Sequence, residues 1–322
     1  MNLPELVKNC KRIGISGHEN PDGDCAGACC GTALYLRKIF PDAQVDIYLE
    51  PMQECLCRNI PGSDTIIHDV TGNEGKYDAF IVLDSTPDRI GAPEKLYREA
   101  AVRINIDHHM TNPGSPDSHC HIDGHASSAS EMVYDLIGKE QIDADIAKAL
   151  YVGIVTDTGG FQYSNTAEST MRAAGHLMRF GFDHSAVIRE VFFERTYRQA
   201  KTLGTALSES RLALGGKYIF CCFDREKLEK LGAGRKDLDG ISAQLLLTEG
   251  VDCSAFFHES EPGVWRASMR SVQVTDVARA ASLFGGGGHM HAAGCTISTE
   301  IGAAMEAVKD EIEGQLKNAG LL

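Results

Sequence analysis

Four apolar segments in the first half of the chain run straight toward side chains that carry or bind charge. Residues 13–16 lead into Ser16-Gly17-His18-Glu19-Asn20-Pro21-Asp22-Gly23-Asp24, and residues 79–83 into Asp84. Residues 102–106 lead into Asp107-His108-His109, and residues 150–155 toward Asp157. The first three of these, together with residues 45–49, read as strands, and amphipathic stretches near residues 25–39, 94–100 and 129–138 alternate with them. This alternation predicts an α/β fold with a mainly parallel sheet flanked by helices. The carboxyl ends of parallel strands share one edge of the sheet, where open α/β sheets bind ligands, so the charged groups are expected to meet there. One helix start is also legible: Ser128-x-x-Glu131 fits a capping box ahead of Met132, Val133, Leu136 and Ile137.

A long polar, helix-like stretch at residues 184–210 separates this pattern from a second one. Beyond it the sequence predicts a strand at 218–223, a helix at 225–231, and two strands at 253–258 and 264–269 joined across a Glu-Pro-Gly turn. A helix at 275–283, the run Gly285 to Gly288, and a last helix with Ile301, Met305, Val308, Ile312 and Leu316 on one face complete the chain. At 322 residues the chain exceeds the ~100–200 of a typical domain. The expected division is residues 1–190, a linker helix at 191–210, and a smaller α/β domain at 211–322.

The formal net charge of −14 opposes binding of long duplex nucleic acid. Residues 201–275 balance 10 basic against 10 acidic side chains, so a surface that grips phosphate is better sought there. The 11 cysteines have neither zinc-ribbon nor secreted-framework spacing and read as reduced thiols. The N-terminus shows no apolar core of a signal peptide, and no run approaches the ~18 apolar residues of a bilayer span. A cytoplasmic protein with no membrane partner is expected.

Carboxylates brought together without cations would repel one another until protonated or paired. The motifs contain neither Lys nor Arg, so bound metal is the simpler expectation. Carboxylate and imidazole donors suit Mn²⁺, with Mg²⁺, Co²⁺ and Fe²⁺ as alternatives, and the excess of carboxylates favours two ions. Two such ions clamp the attacking and leaving oxygens of a phosphoryl group, which makes metal-assisted phosphoester hydrolysis the implied reaction class.

The blocks GHENPDGDCAGA, VLDS, IDHH and GIVTDTGGFQYSN, followed by GGGGHMHAAG, resemble the DHH phosphoesterase family, in the subgroup with the type 1 DHH-associated C-terminal domain. The likeness spans most of the chain in five ordered motifs. It implies a catalytic, metal-binding first domain and a substrate-binding second one, with the active site in the cleft between them. Carried over position by position, it implies His18, Asp22 and Asp84 as ligands of one Mn²⁺. Asp24, Asp84, His108 and Asp157 are implied for the second, with Asp84 bridging and a hydroxide between the ions as nucleophile. Asp107 would orient an adjacent histidine, and His109 would face the scissile phosphate. In the second domain the resemblance implies that Gly286, Gly287, Gly288 and His289 bind the phosphate or sugar of a nucleotide. Arg270 and Ser271 match a pair that contacts a terminal phosphate, work suited to a guanidinium. Met290 and His291 stand where relatives carry Lys or Arg, which leaves the role of His291 open.

Within the family the size and the C-terminal motifs look most like the oligoribonuclease and 3′-phosphoadenosine 5′-phosphate (PAP) phosphatase branch. The implied partners are a short oligoribonucleotide, the dinucleotide pApA or PAP, with a homodimer as a further expectation. The alternatives are a cyclic di-AMP phosphodiesterase, an inorganic pyrophosphatase or exopolyphosphatase, a RecJ-type exonuclease and a non-catalytic nucleotide sensor. Other features have plainer readings. A glycine run alone reads as a flexible loop, and His119-Cys120-His121 as a surface loop without a fourth ligand. His68, His125, His176, His184 and His258 read as structural, Cys25, Cys29 and Cys30 as small packed hydrophobes, and Arg266 as solvent-facing. Arg89 divides between the metal-site carboxylates and a structural ion pair.

Overall fold

Six strands from the first part of the chain pair in parallel: β1 (Arg12–Ser16), β2 (Gln44–Tyr48), β3 (Ile66–Ile67), β4 (Ala79–Leu83), β5 (Val102–Asp107) and β6 (His119–Ile122). Their order is β3-β2-β1-β4-β5-β6. The structure, a computed structural model, describes residues 1–73, 75 and 77–322, which divide into two compact units, Met1–Glu194 and Arg195–Leu322.

Both faces of the first sheet are covered, which is why β4 reads as an unbroken apolar run. Ile13, Ile15, Ile81, Leu83, Ile104 and Ile106 face a core built with the helices Gly23–Ile39, Ala129–Leu136 and Ala144–Asp157. Phe80 and Val82, one residue out of phase, face a second cluster with Tyr48, Tyr77 and Tyr97. The chain winds outward from β1 to β3 and then returns to the other side of β1 for β4. The carboxyl ends of β1 and β4 therefore flank the point where the winding reverses, the usual ligand crevice of such a sheet.

Residues 150–155 form no strand. They belong to the helix Ala144–Asp157, N-capped by Asp143, whose carboxylate accepts from the Ile146 amide at 3.1 Å. Its mid-section is buried almost all round, so its apolar run carries no helical period. Gly153 lets this helix approach closely: a Cβ there would stand 1.9 Å from Ser130 Oγ and 2.9 Å from an Asp24 carboxylate oxygen. His119-Cys120-His121 is likewise no loop, but part of the edge strand β6, with Cys120 paired to Asn105 of β5.

The second unit holds a mixed sheet of β7 (Arg211–Ala213), β8 (Tyr218–Phe223), β9 (Cys253–Glu261), β10 (Val264–Ser271), β11 (Gly287–His289) and β12 (Ala292–Ile297), in the order β11-β12-β10-β9-β8-β7. The helices Val277–Ser282 and Ile301–Asn318 cover one face, and Tyr197–Glu209 and Ile241–Leu246 the other. The stretch 184–210 is not one helix. A short helix His184–Ile188 and a π-turn Arg189–Phe193 end before Thr196, which caps Tyr197–Glu209 in a reciprocal box with Gln199. The second half of the glycine run is ordered as strand. Gly287–His289 pairs with β12, and a Cβ on Gly286 would stand 2.4 Å from the Gly294 carbonyl oxygen, so only glycine fits that approach.

Candidate metal centre

His18 follows β1 and Asp84 follows β4, and the two side chains face each other across the reversal point, with His18 Nε2 3.5 Å from Asp84 Oδ2. Asp84 adopts a positive φ of 55°, a left-handed conformation that short polar residues tolerate best. Asp22 N-caps the helix Gly23–Ile39, accepting from the amides of Asp24 and Cys25 at 3.0 Å each, with an oxygen 3.7 Å from His18 Nε2. His18 Nδ1 lies 2.9 Å from the Glu19 carbonyl oxygen, so Nε2 is the nitrogen that faces the carboxylates.

Asp24 is buried one turn further on. Its two oxygens accept from the amides of Ala129 and Ser130 at 2.6 and 2.9 Å, the free donors at the start of the helix Ala129–Leu136. Ser128 caps this helix as its motif predicts, accepting from the Glu131 amide at 3.0 Å. Glu131 departs from the capping box by turning to the Ser127 amide. Asp157, in the last turn of Ala144–Asp157, is held by Asn165, which donates to its carboxylate at 3.3 Å and to its carbonyl oxygen at 3.2 Å. His108 joins the sets: its Nε2 lies 3.3 Å from Asp84, 3.7 Å from Asp157 and 4.0 Å from Asp24.

His109 Nδ1 donates to Asp107 Oδ1 at 2.7 Å and stands 3.6 Å from Asp84. Asp107 is fixed in turn by Asn112, whose amide donates to Asp107 at 2.6 Å and to Asn105 at 2.9 Å. Asn105 donates to the carbonyls of Val82 and Ser85, on either side of Asp84. Sequence reasoning missed Asn105 and Asn112. Their signal is weak: an Asn inside an apolar strand, and another four residues past His108.

The titrating groups record a shortage of positive charge. Burial, then repulsion from Asp84 and Asp157, pushes Asp24 well above the usual carboxylate range. Burial, against the attraction of His108 and joined by repulsion from Asp84 and Asp22, lifts Asp157 to about 6. Burial opposes protonation of His108, yet Asp84, Asp24 and Asp157 prevail and raise it to about 9. His18 is raised against burial by Asp22 and Asp84. Asp84 Oδ1 is buried and accepts no hydrogen bond. Three donor groups, His18 with Cys25 and Asp84, Asp84 with His108 and His109, and Asp24 with His108 and Asp157, each lie within 4.8 Å of one another. Asp84 belongs to two of them. An orphaned buried oxygen, crowded carboxylates and imidazoles in their reach fit divalent cations.

Residues 12–154 match the DHH family, N-terminal domain, and residues 215–318 the DHHA1 domain. The chain therefore carries a DHH-family N-terminal domain and a DHHA1 domain. It is 29% identical over 315 residues to the bifunctional oligoribonuclease and PAP phosphatase NrnA of Thermus thermophilus, covering 96% of this chain and 92% of that protein. The Bacillus subtilis protein of the same name is 28% identical over 288 residues, with 87% of each chain covered. Among solved structures, an exopolyphosphatase-related protein from Bacteroides fragilis superposes with a TM-score of 0.84 at 24% identity, over 97% of this chain and 94% of that one. The chain thus shares its fold with that structure over nearly its whole length.

The sequence-selected residues of the second unit lie on neighbouring strands. Arg270 and Ser271 end β10, where Arg270 pairs with Ala292 of β12, and His289 of β11 pairs with the same Ala292. Arg270 Nη1 donates to its neighbour's carbonyl, Met269, at 2.9 Å. Ser271 Oγ donates to the Thr275 carbonyl at 2.6 Å and lies 2.9 Å from His291 Nδ1, so His291 is tied to the Arg-Ser pair. Arg266 is exposed, and His68 holds the Leu49 carbonyl oxygen at 2.7 Å.

Proposed function

We propose that this chain is a metal-dependent phosphoesterase that hydrolyses short oligoribonucleotides or the dinucleotide pApA to mononucleotides, and PAP to AMP. The observation that carries this is Asp84, strained and orphaned, standing in two donor groups at the reversal point of a parallel sheet. The oligoribonucleotide and PAP substrates follow from the names of the relatives, and pApA is taken as the shortest oligoribonucleotide of that class.

His18, Asp22 and Asp84 would hold one cation, and Asp24, Asp84, His108 and Asp157 the other. Mn²⁺ suits this mixture of carboxylate and imidazole. Cations bound there would supply activation of a water nucleophile and neutralisation of charge on the phosphoryl group. The remaining work falls to the protein. Helix-end amides fix Asp24, Asn165 fixes Asp157, and the Asn105–Asn112–Asp107 chain fixes His109. The Asp107 carboxylate engages Nδ1 and raises the proton affinity of His109, leaving Nε2 to deliver a proton to the leaving oxygen. In the second unit, Arg270, Ser271, His289 and the Gly286–Gly288 backbone offer donors to a nucleotide phosphate.

The test is product analysis with Mn²⁺-loaded protein offered pApA, short RNA, PAP, cyclic di-AMP, pyrophosphate and polyphosphate in parallel. Mononucleotides from pApA or short RNA, with pyrophosphate untouched, are expected. Orthophosphate from pyrophosphate or polyphosphate alone would overturn the reading.

A further inference from the structure

Cys25 sits in the first turn of the helix Gly23–Ile39, fully buried, with its amide donating to the Asp22 carboxylate at 3.0 Å. Its neighbours are what distinguish it from the other buried thiols. Its sulfur, a His18 ring nitrogen and an Asp84 carboxylate oxygen all lie within 4.8 Å of one another, and among the described residues no other cysteine joins such a donor group. Gly17 leaves the room this requires, since a Cβ there would stand 2.2 Å from the Cys25 sulfur. The Asp84 carboxylate is only 3% exposed, and the oxygen it turns to this side, Oδ2, faces His18 Nε2 at 3.5 Å.

We propose that Cys25 is a metal ligand of this chain, completing the His18, Asp22 and Asp84 side of the centre with a thiolate. The inference rests on the reading that this site holds a cation. On coordination the sulfur lone pair forms the bond to the metal, and the S–H proton leaves to solvent. A sulfur donor among oxygen and nitrogen donors makes this side of the centre more selective for Zn²⁺, Co²⁺ or Fe²⁺ over Mn²⁺ and Mg²⁺ than carboxylates and imidazole alone. The two sides then differ in chemistry: His108, Asp24 and Asp157 offer only nitrogen and oxygen.

The experiment is titration of the metal-free full-length protein with Co²⁺, read by near-ultraviolet absorption, where a thiolate bound to cobalt gives a sulfur-to-metal charge-transfer band. The band is expected to rise with the cobalt bound in the native protein and to be missing from both Cys25→Ala and Cys25→Ser, while cobalt still binds through the remaining donors. In competition experiments the same variants should lose at least about tenfold in affinity for Zn²⁺ and change little toward Mn²⁺. Cobalt uptake by the native protein without the band, or a band that survives in the variants, overturns the thiolate ligand and leaves the metal centre standing. A native protein that takes up neither Co²⁺ nor Mn²⁺ overturns both. The native spectrum decides the matter even where a variant folds poorly.

Discussion

At the scale of single residues the site depends on groups whose positions are set by others. Asp84 combines a left-handed backbone with an unsatisfied buried oxygen, a local cost that cation binding offsets. Asn also accepts that backbone conformation, so Asp84→Asn keeps the turn and removes the charge. Its turnover of short RNA should fall at least ~100-fold with an unchanged circular dichroism spectrum, since it neutralises the carboxylate proposed to be shared by two cations. Near-normal rates would reject the shared ligand. Asn112 contacts Asp107 and Asn105. Asn112→Ala should lower kcat by ~10–100-fold at nearly constant KM, because it loosens His109 without touching substrate. A change confined to KM would place Asn112 in substrate binding instead. Arg270→Ala has the opposite expectation, a raised KM with a modest change in kcat, and an unchanged KM would remove it from the nucleotide site.

At the scale of elements, Asp78 ties the start of β1 to that of β4, accepting from the amides of Lys11 and Arg12 at 2.7 and 3.0 Å. These two bonds hold its carboxyl below its ordinary 3.8. A depressed carboxylate stabilises the fold above its unfolded value, and that contribution is lost as pH falls through the folded one. Asp78→Asn should therefore lower the urea midpoint at pH 7, modestly because solvent screens this exposed group, and match the native protein in strong acid. An equal loss at both pH values would contradict the charge-assisted bonds. β4 is legible in the sequence because a strand buried on both faces is a continuous apolar run that stops at its charged end, and β1 and β5 because isoleucine recurs at every second residue before theirs. The run 150–155 reads the same way only because a helix packed on all sides also loses its polar stripe. β6 and β12 escape notice for the reverse reason: one is a half-buried edge strand rich in histidine, the other is made of Ala, Gly, Cys, Thr and Ile with little alternation. The acidic and imidazole ligand candidates are legible because they cluster in motifs. The donation from the helix at Ala129 to Asp24 depends on contact between segments about a hundred residues apart, and the asparagines that orient the other groups are single polar residues that form no motif.

At the scale of the whole molecule, the net charge of −14 sets the length of substrate that approaches easily. Repulsion grows with the number of phosphates and is screened by salt, with a Debye length of ~10 Å at 0.1 M. Cleavage should be faster on dinucleotides and very short RNA than on long strands, and added monovalent salt should narrow that gap. A gap that widens with salt would mean that local basic groups, not the overall charge, govern approach. The cation donors also have a consequence for how the protein is made. They come from positions 18 to 157, through four segments that meet only when β1, β4 and β5 are paired and the helix Ala144–Asp157 is docked. Pairings between distant parallel strands form slowly, so a cation cannot template the early steps of folding. During synthesis its full site first exists when about half the chain has left the ribosome, which makes metal uptake a late checkpoint on a correctly assembled first unit.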